Sequence, residues 1–401
     1  MVTTHRPIKE RIEIIDVLRG FALLGIIIVH FVEQYYAGDP PAAIGSLNVK
    51  TFADEIVTAV VGIFIVGKFY IIFSFLFGLS FYIQLTNSDG SGKFLLRFAW
   101  RLIVLFALGF MHHLHYRGDI LTIYAVLGFG LLLFSRLPDR ALLGVALLLI
   151  LNVPSVVWRL YETTLPATPT EFFNPKQEEA YYYTVKSGTY LEILEANFYE
   201  FETKANVQIL SGRAYITLGL FLLGLYVGRK KFFENWKDQL LLIRRLRKTA
   251  WWVIAGSVAC AGLFFGGLQL LKIQYHEKLG WAIGGLLADA ANFALSMVYV
   301  LSVMILFTKE KWHPRLMNFY AVGRMGLTTY LMQTFFGTFL FFSFGLGFLA
   351  EMGAVACLAV ALIVYFFQIE ISKRWFEHFH YGLFEWIWRG LTYFKFPRLS
   401  K

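Results

Sequence analysis

Arg19 and His30 stand eleven residues apart in the stretch EIIDVLRGFALLGIIIVHF, residues 13–31. On an α-helix, eleven residues return to within about 20° of the starting direction and rise about 16 Å. The two side chains therefore share one face, and Asp16 lies one turn from Arg19, where it can pair with it. The stretch WRLIVLFALGFMHH repeats the spacing and the order with Arg101 and His112, and Arg97 precedes Arg101 by one turn. Two such faces brought together make a polar track with guanidinium groups at one end and imidazoles at the other. Guanidinium is permanently charged and donates in a fork that matches phosphate oxygens. Imidazole at the far end can take a proton from a hydroxyl or an amine. That is the equipment for passing a group from a phosphate-bearing donor to an acceptor some distance away.

The second stretch continues MHHLHYRGDILTIYAVLG and places His112, His113, His115, Arg117 and Asp119 within eight residues. One reading is a catalytic base, at His30, His112 or His113, with Asp119 fixing an imidazole tautomer. A lesser alternative is metal or haem ligation by His30 and His112 facing each other. A third is an interfacial turn in which Asp119 caps a helix. Catalysis ranks above metal, because no CxxC, HExxH or carboxylate set completes a ligand shell, and no metal or haem is expected. Lys68 and Arg324 are further cations inside apolar stretches and join Arg19, Arg97 and Arg101 as candidates for holding donor phosphates. Arg213 and Asp289 read as an ion pair, and Gly78 as a point of close helix packing.

These residues must be positioned by helices in a membrane. Of the 401 residues, 57% are hydrophobic and only 16% charged, with mean hydropathy +0.58; soluble domains carry roughly a quarter charged residues. The fold class is all-α, a polytopic transmembrane helical bundle. Apolar stretches long enough to cross fall near 14–36, 68–86, 95–113, 119–136, 140–161, 207–228, 249–273, 283–307, 316–343 and 349–371, about ten spans in all. The first contains Arg19 and His30 and is followed by no cleavage pattern, so it reads as a retained helix rather than a signal peptide. Residues 229–248 carry eight basic and two acidic side chains, whereas 162–206 carry three basic and eight acidic. The first is expected inside and the second outside, which places both termini, the 87–94 loop and the 309–315 linker in the cytoplasm. The net charge of +10 is then a property of cytoplasmic loops and implies no nucleic acid. The chain reads as one membrane-embedded domain, 1–401. Its N-terminal half, 1–161, carries the Arg/His site; a helical cap follows at 162–206, then a C-terminal half at 207–401. The tail GLFEWIWRGLTYFK is amphipathic and suits the headgroup region.

Five segments in order carry a resemblance: IDVLRGFALLGIIIVH, GKFYIIFSFLFGLSF, GDILTIYAVLG, GRMGLTTYLMQT and GLFEWIWRGLTY. Over nearly the whole chain they resemble the YeiB-like family of bacterial membrane proteins, a domain of unknown function. More distantly, the Arg, ten residues, His pattern of Arg19 and His30 is similar to acyltransferase-three proteins, and the first helix to heparan glucosaminide acetyltransferase. That similarity implies a bacterial inner-membrane enzyme moving an acyl group, such as acetyl, from cytosolic acyl-CoA to an extracytoplasmic sugar, lipid, amine or alcohol. It implies donor binding at Arg19 and a role near the transfer site for His30. YeiB-like proteins often have Asn at the His30 position, which leaves the base open among His30, His112 and His113. The alternative is a transporter or exporter of a small or anionic solute using the same track, although no inverted repeat is evident. Expected partners are membrane lipids, acyl-CoA or another small molecule, and a second copy of the chain in a homodimer.

Overall fold

In a lipid environment every main-chain N–H and C=O must be satisfied within the segment, so long apolar runs of this chain have helix as their available form. The computed structural model describes residues 11–87, 92–164, 173–273 and 277–401. Residues 1–10 of the basic N-terminus and 88–91 of the 87–94 loop, both expected inside, lie outside the described residues. No strand occurs among the described residues, only an isolated bridge between Phe379 and Ser400.

The helices follow one another as α1 (Glu13–Val32), α2 (Phe52–Phe64), α3 (Phe69–Thr86), α4 (Gly92–His115) and α5 (Leu121–Phe134). Next come α6 (Asp139–Ile150), α7 (Val153–Glu162), α8 (Pro175–Ser187), α9 (Tyr190–Leu210) and α10 (Arg213–Arg229). The rest are α11 (Leu240–Leu270), α12 (Glu277–Phe307), α13 (His313–Arg324), α14 (Gly326–Phe341), α15 (Ala354–His378) and α16 (Leu383–Tyr393). Local chemistry sets several starts. Thr51 with Asp54 and Thr189 with Glu192 form capping boxes at α2 and α9. Gly212, at φ +83°, turns the chain between α9 and α10, which meet at a 68° bend.

Six of these segments are long and apolar enough to cross a membrane, or eight if the bent pairs α6–α7 and α9–α10 each count as one. These account for eight of the ten expected spans; the other two differ in form. Helix α5 has 14 residues, about 21 Å of rise against a hydrocarbon core of about 30 Å. The stretch 316–343 is broken at Met325, the junction of α13 and α14.

Helix α1 is the axis of the bundle, packed against α3, α13, α14 and α15. Leu23, Ile27 and Phe31 from α1 share a core with Leu121, Val322, Phe341 and Tyr365. Main chains cross closely at Gly20 and Gly323: a Cβ at Gly323 would lie 1.8 Å from the Asp16 carbonyl oxygen, and one at Gly20 2.1 Å from that of Phe319. This contact sets Arg19 on α1 beside Arg324 on α13. Gly78 lies against the Phe221 main chain in the same manner, joining α3 to α10 as its sequence setting suggests. Helix α11 sits at the periphery, packs mainly on α12 and exposes Trp251, Trp252 and Leu263. Such a surface suits lipid.

The acidic stretch expected as a cap forms α8 and the first part of α9, but α9 continues inward and supplies buried Lys204. The amphipathic tail forms α16, which packs on α4 and α14.

Candidate functional site

A single cavity of about 910 Å³ runs among α1, α3, α4, α5, α9, α13, α14 and α16. Arg19, Arg101 and Arg324 line it, and so do His30 and Asp119. The eleven-residue spacing on α1 thus places Arg19 and His30 on one wall.

At the arginine end, Arg19 pairs with Asp16 and donates to the Gly323 carbonyl and to Ser80 Oγ, each at 3.2 Å. The Arg101 guanidinium lies 3.8 Å from the centre of the Trp388 indole, whose Nε1 donates to the Arg101 carbonyl at 3.0 Å. Arg324 lies 3.9 Å over Phe376 and donates to the His380 carbonyl at 3.2 Å, while its Nε has no partner among the described residues. One carboxylate joins them on the wall. Glu385 from α16 accepts the Leu327 and Thr328 amides at 2.6 and 3.2 Å, capping the first turn of α14. Three guanidinium groups against two committed carboxylates, Asp16 and Glu385, leave this end with an excess of positive charge. The donor set suits a polyphosphate.

At the other end, His30 sits among Tyr35, Tyr116 and Tyr330, with ring centroids at 5.3, 5.3 and 6.2 Å. Its Nδ1 has no hydrogen-bond partner among the described residues. His112 is different. One ring nitrogen meets Asp119 Oδ1 at 2.7 Å and the other meets Thr334 Oγ1 at 2.8 Å, and the residue is not on the cavity wall. With both nitrogens engaged it joins α4 to α14 and holds Asp119; it has no lone pair left for a substrate proton or a metal. Asp119 also accepts from the Leu121 and Thr122 amides at 3.0 and 2.9 Å, so the expected capping role and the expected contact with imidazole are both present.

His113 is fully buried off the wall, 3.3 Å from Lys204 Nζ through its Nδ1. Lys204 Nζ in turn reaches Thr122 Oγ1 at 2.7 Å and Asp119 Oδ2 at 3.2 Å. His115 points to Tyr190 Oη at the exposed rim. Arg117 is clamped by Glu178 at 2.7 and 2.8 Å, with Tyr181 3.7 Å from its guanidinium carbon. Burial opposes its charge, but Tyr181 and Glu178 more than compensate and hold it above the ordinary guanidinium value.

Two of the candidates for holding donor phosphates fall outside the site. Lys68 donates to the Gly62 carbonyl at 3.2 Å and is absent from the wall. Arg97 is exposed, 5.4 Å from the Tyr393 ring. Arg213 and Asp289 both line the cavity without pairing: Asp289 accepts from Asn152 at 3.1 Å, and Arg213 lies over Tyr70. Lys204, Tyr330, Glu385 and Trp388 are wall residues that sequence reasoning did not nominate. Their signal was weak: a lysine in an acidic stretch, a tyrosine in a polar span, and a glutamate in an amphipathic tail.

Residues 227–395 match the family described as protein of unknown function DUF418. The chain is 28% identical to "Uncharacterized protein YxaH" of Bacillus subtilis (strain 168), over 98% of this chain and 97% of that protein. It is 26% identical to "Uncharacterized protein YeiB" of Escherichia coli (strain K12), over 96% of each. Over nearly its whole length the chain is similar to YeiB-like proteins. It is also 28% identical to "Uncharacterized 39.9 kDa protein in amylase 3'region" of Bacillus acidopullulyticus, over 98% of this chain and 97% of that one. No solved structure matches the chain. The DUF418 match covers Arg324, Tyr330, Glu385 and Trp388, whereas Arg19, His30, Arg101, Asp119 and Lys204 precede it. The cavity is therefore built from both halves of the chain.

Proposed function

We propose that this protein is a transmembrane acyltransferase of the bacterial inner membrane, taking an acyl group from cytosolic acyl-CoA to an acceptor on the far side. The observation that carries the reading is one cavity with three arginines at one end and an unpartnered imidazole at the other. Arg19, Arg101 and Arg324 hold the donor phosphates, and Trp388 fixes Arg101 from beneath. His30 takes the proton of the attacking hydroxyl or amine and returns a proton to the departing thiolate. Asp119, His112, Thr334 and Lys204 form the rigid support behind it rather than the base itself. Lys68 and Arg97 have no part in the donor site.

Acetyl-CoA binding and thiol release by the purified full-length protein in detergent test the reading. Arg101→Ala and Arg19→Ala should weaken acetyl-CoA binding about tenfold or more, consistent with loss of a charge-assisted contact. His30→Ala should bind normally and lose at least about 100-fold in turnover. No binding at millimolar acetyl-CoA, or solute movement in proteoliposomes without thiol release, would overturn it.

A further inference from the structure

Folded proteins leave few buried polar groups unpaired, because each costs on the order of 1–3 kcal/mol. The Tyr330 hydroxyl is such a group. The residue is 4% exposed, it lies on the cavity wall, and its Oη has no hydrogen-bond partner among the described residues. Its ring is 6.2 Å from that of His30 and 5.1 Å from that of His112. The main-chain N–H of Ile120, also on the wall, is directed at this oxygen without completing a hydrogen bond, so the Oη–H itself is unspent. Thr334, one turn further along α14, is tied to His112, so the helix bearing Tyr330 is fixed against α4. Of the cations near His30, Lys204 serves Asp119, Thr122 and His113, and Arg117 serves Glu178 and Glu200, whereas Arg213 also lines the cavity and rests over the Tyr70 ring. Tyr35 offers a contrast. Its hydroxyl is also unpaired and the residue is fully buried, but it does not form part of the wall.

Acyl transfer concentrates negative charge on the carbonyl oxygen, and a base alone does nothing for that charge. A fixed donor aimed at the oxygen is the second requirement. We propose that Tyr330 is a further catalytic residue, whose Oη–H donates to the thioester carbonyl oxygen while His30 deprotonates the acceptor. The inference rests on the acyltransferase reading. The acceptor oxygen or nitrogen bonds to the carbonyl carbon, and the displaced π pair moves to the oxygen that Tyr330 holds. Collapse then breaks the C–S bond, and the thiolate leaves with the proton from His30. With water as acceptor the products are acetate and CoA.

The test measures acetyl-CoA hydrolysis and acetyl-CoA affinity for the wild type, Tyr330→Phe and Tyr35→Phe. Tyr330→Phe should lower kcat about 100-fold, the usual effect of removing one such donor, with affinity within about twofold of wild type. Tyr35→Phe loses a buried hydroxyl from the same aromatic cluster and should keep its kcat. An unchanged kcat in Tyr330→Phe, or equal losses in both variants, overturns the assignment while leaving the acyltransferase reading in place. A wild type that neither binds acetyl-CoA nor releases thiol brings down both.

Discussion

His112 and His30 occupy equivalent places in two equal spacings, yet truncating them should have opposite consequences. His112→Phe keeps a ring but strips partners from Asp119 and Thr334, and should cost about 1–3 kcal/mol of stability, read as a lower Tm in detergent. His30→Phe removes no hydrogen bond through Nδ1 and should leave Tm near wild type. A large drop with His30→Phe, or none with His112→Phe, would contradict this division of labour. Sequence exposed the Arg19–His30 relationship because both lie on one rigid helix, where geometry follows from spacing alone. It could not separate His112 from His30, since what distinguishes them is Thr334, more than two hundred positions away. Tyr330 was visible as part of a polar span, but its unpaired hydroxyl exists only in three dimensions.

At the scale of elements, the contact of α1 with α13 depends on two glycines rather than on large apolar side chains. Gly323→Ala places a methyl group 1.8 Å from the Asp16 carbonyl, so the helices must separate. Overpacking of this kind typically costs about 1–3 kcal/mol. Because Arg19 and Arg324 flank the contact, acetyl-CoA affinity should fall together with Tm, although neither arginine is changed. Retained affinity at reduced Tm would show that the donor site does not depend on this crossing. Helix existence was legible throughout, since apolar runs in lipid have no alternative to it. Interruptions were less so: the break at Met325 has no proline to mark it, and the bend at Gly212 resembles an ordinary glycine. The inward course of α9 and the docking of α16 are decided by tertiary partners, Asp119 for Lys204 and the α14 amides for Glu385.

For the whole molecule, the asymmetry of loop charge predicts an orientation of the bundle, and orientation decides which end of the cavity meets which compartment. Ser187 and Asp238 are both exposed, on the acidic and basic sides respectively. In a variant lacking Cys260 and Cys357, an impermeant thiol reagent applied to intact cells should label Ser187→Cys and spare Asp238→Cys. The reverse pattern would put the arginine end outside and exclude a cytosolic donor. The shape of the cavity carries one more consequence. If the phosphates stay beside Arg19, Arg101 and Arg324 while a neutral acyl group alone travels to His30, no net charge crosses the bilayer's electric field. Turnover should then be indifferent to voltage. Carrying an anion outward would cost or release about 2.3 kcal/mol per charge for each 100 mV. Imposing a potassium diffusion potential on sealed vesicles therefore separates a catalyst that hands over a small group from a carrier that moves a charged one.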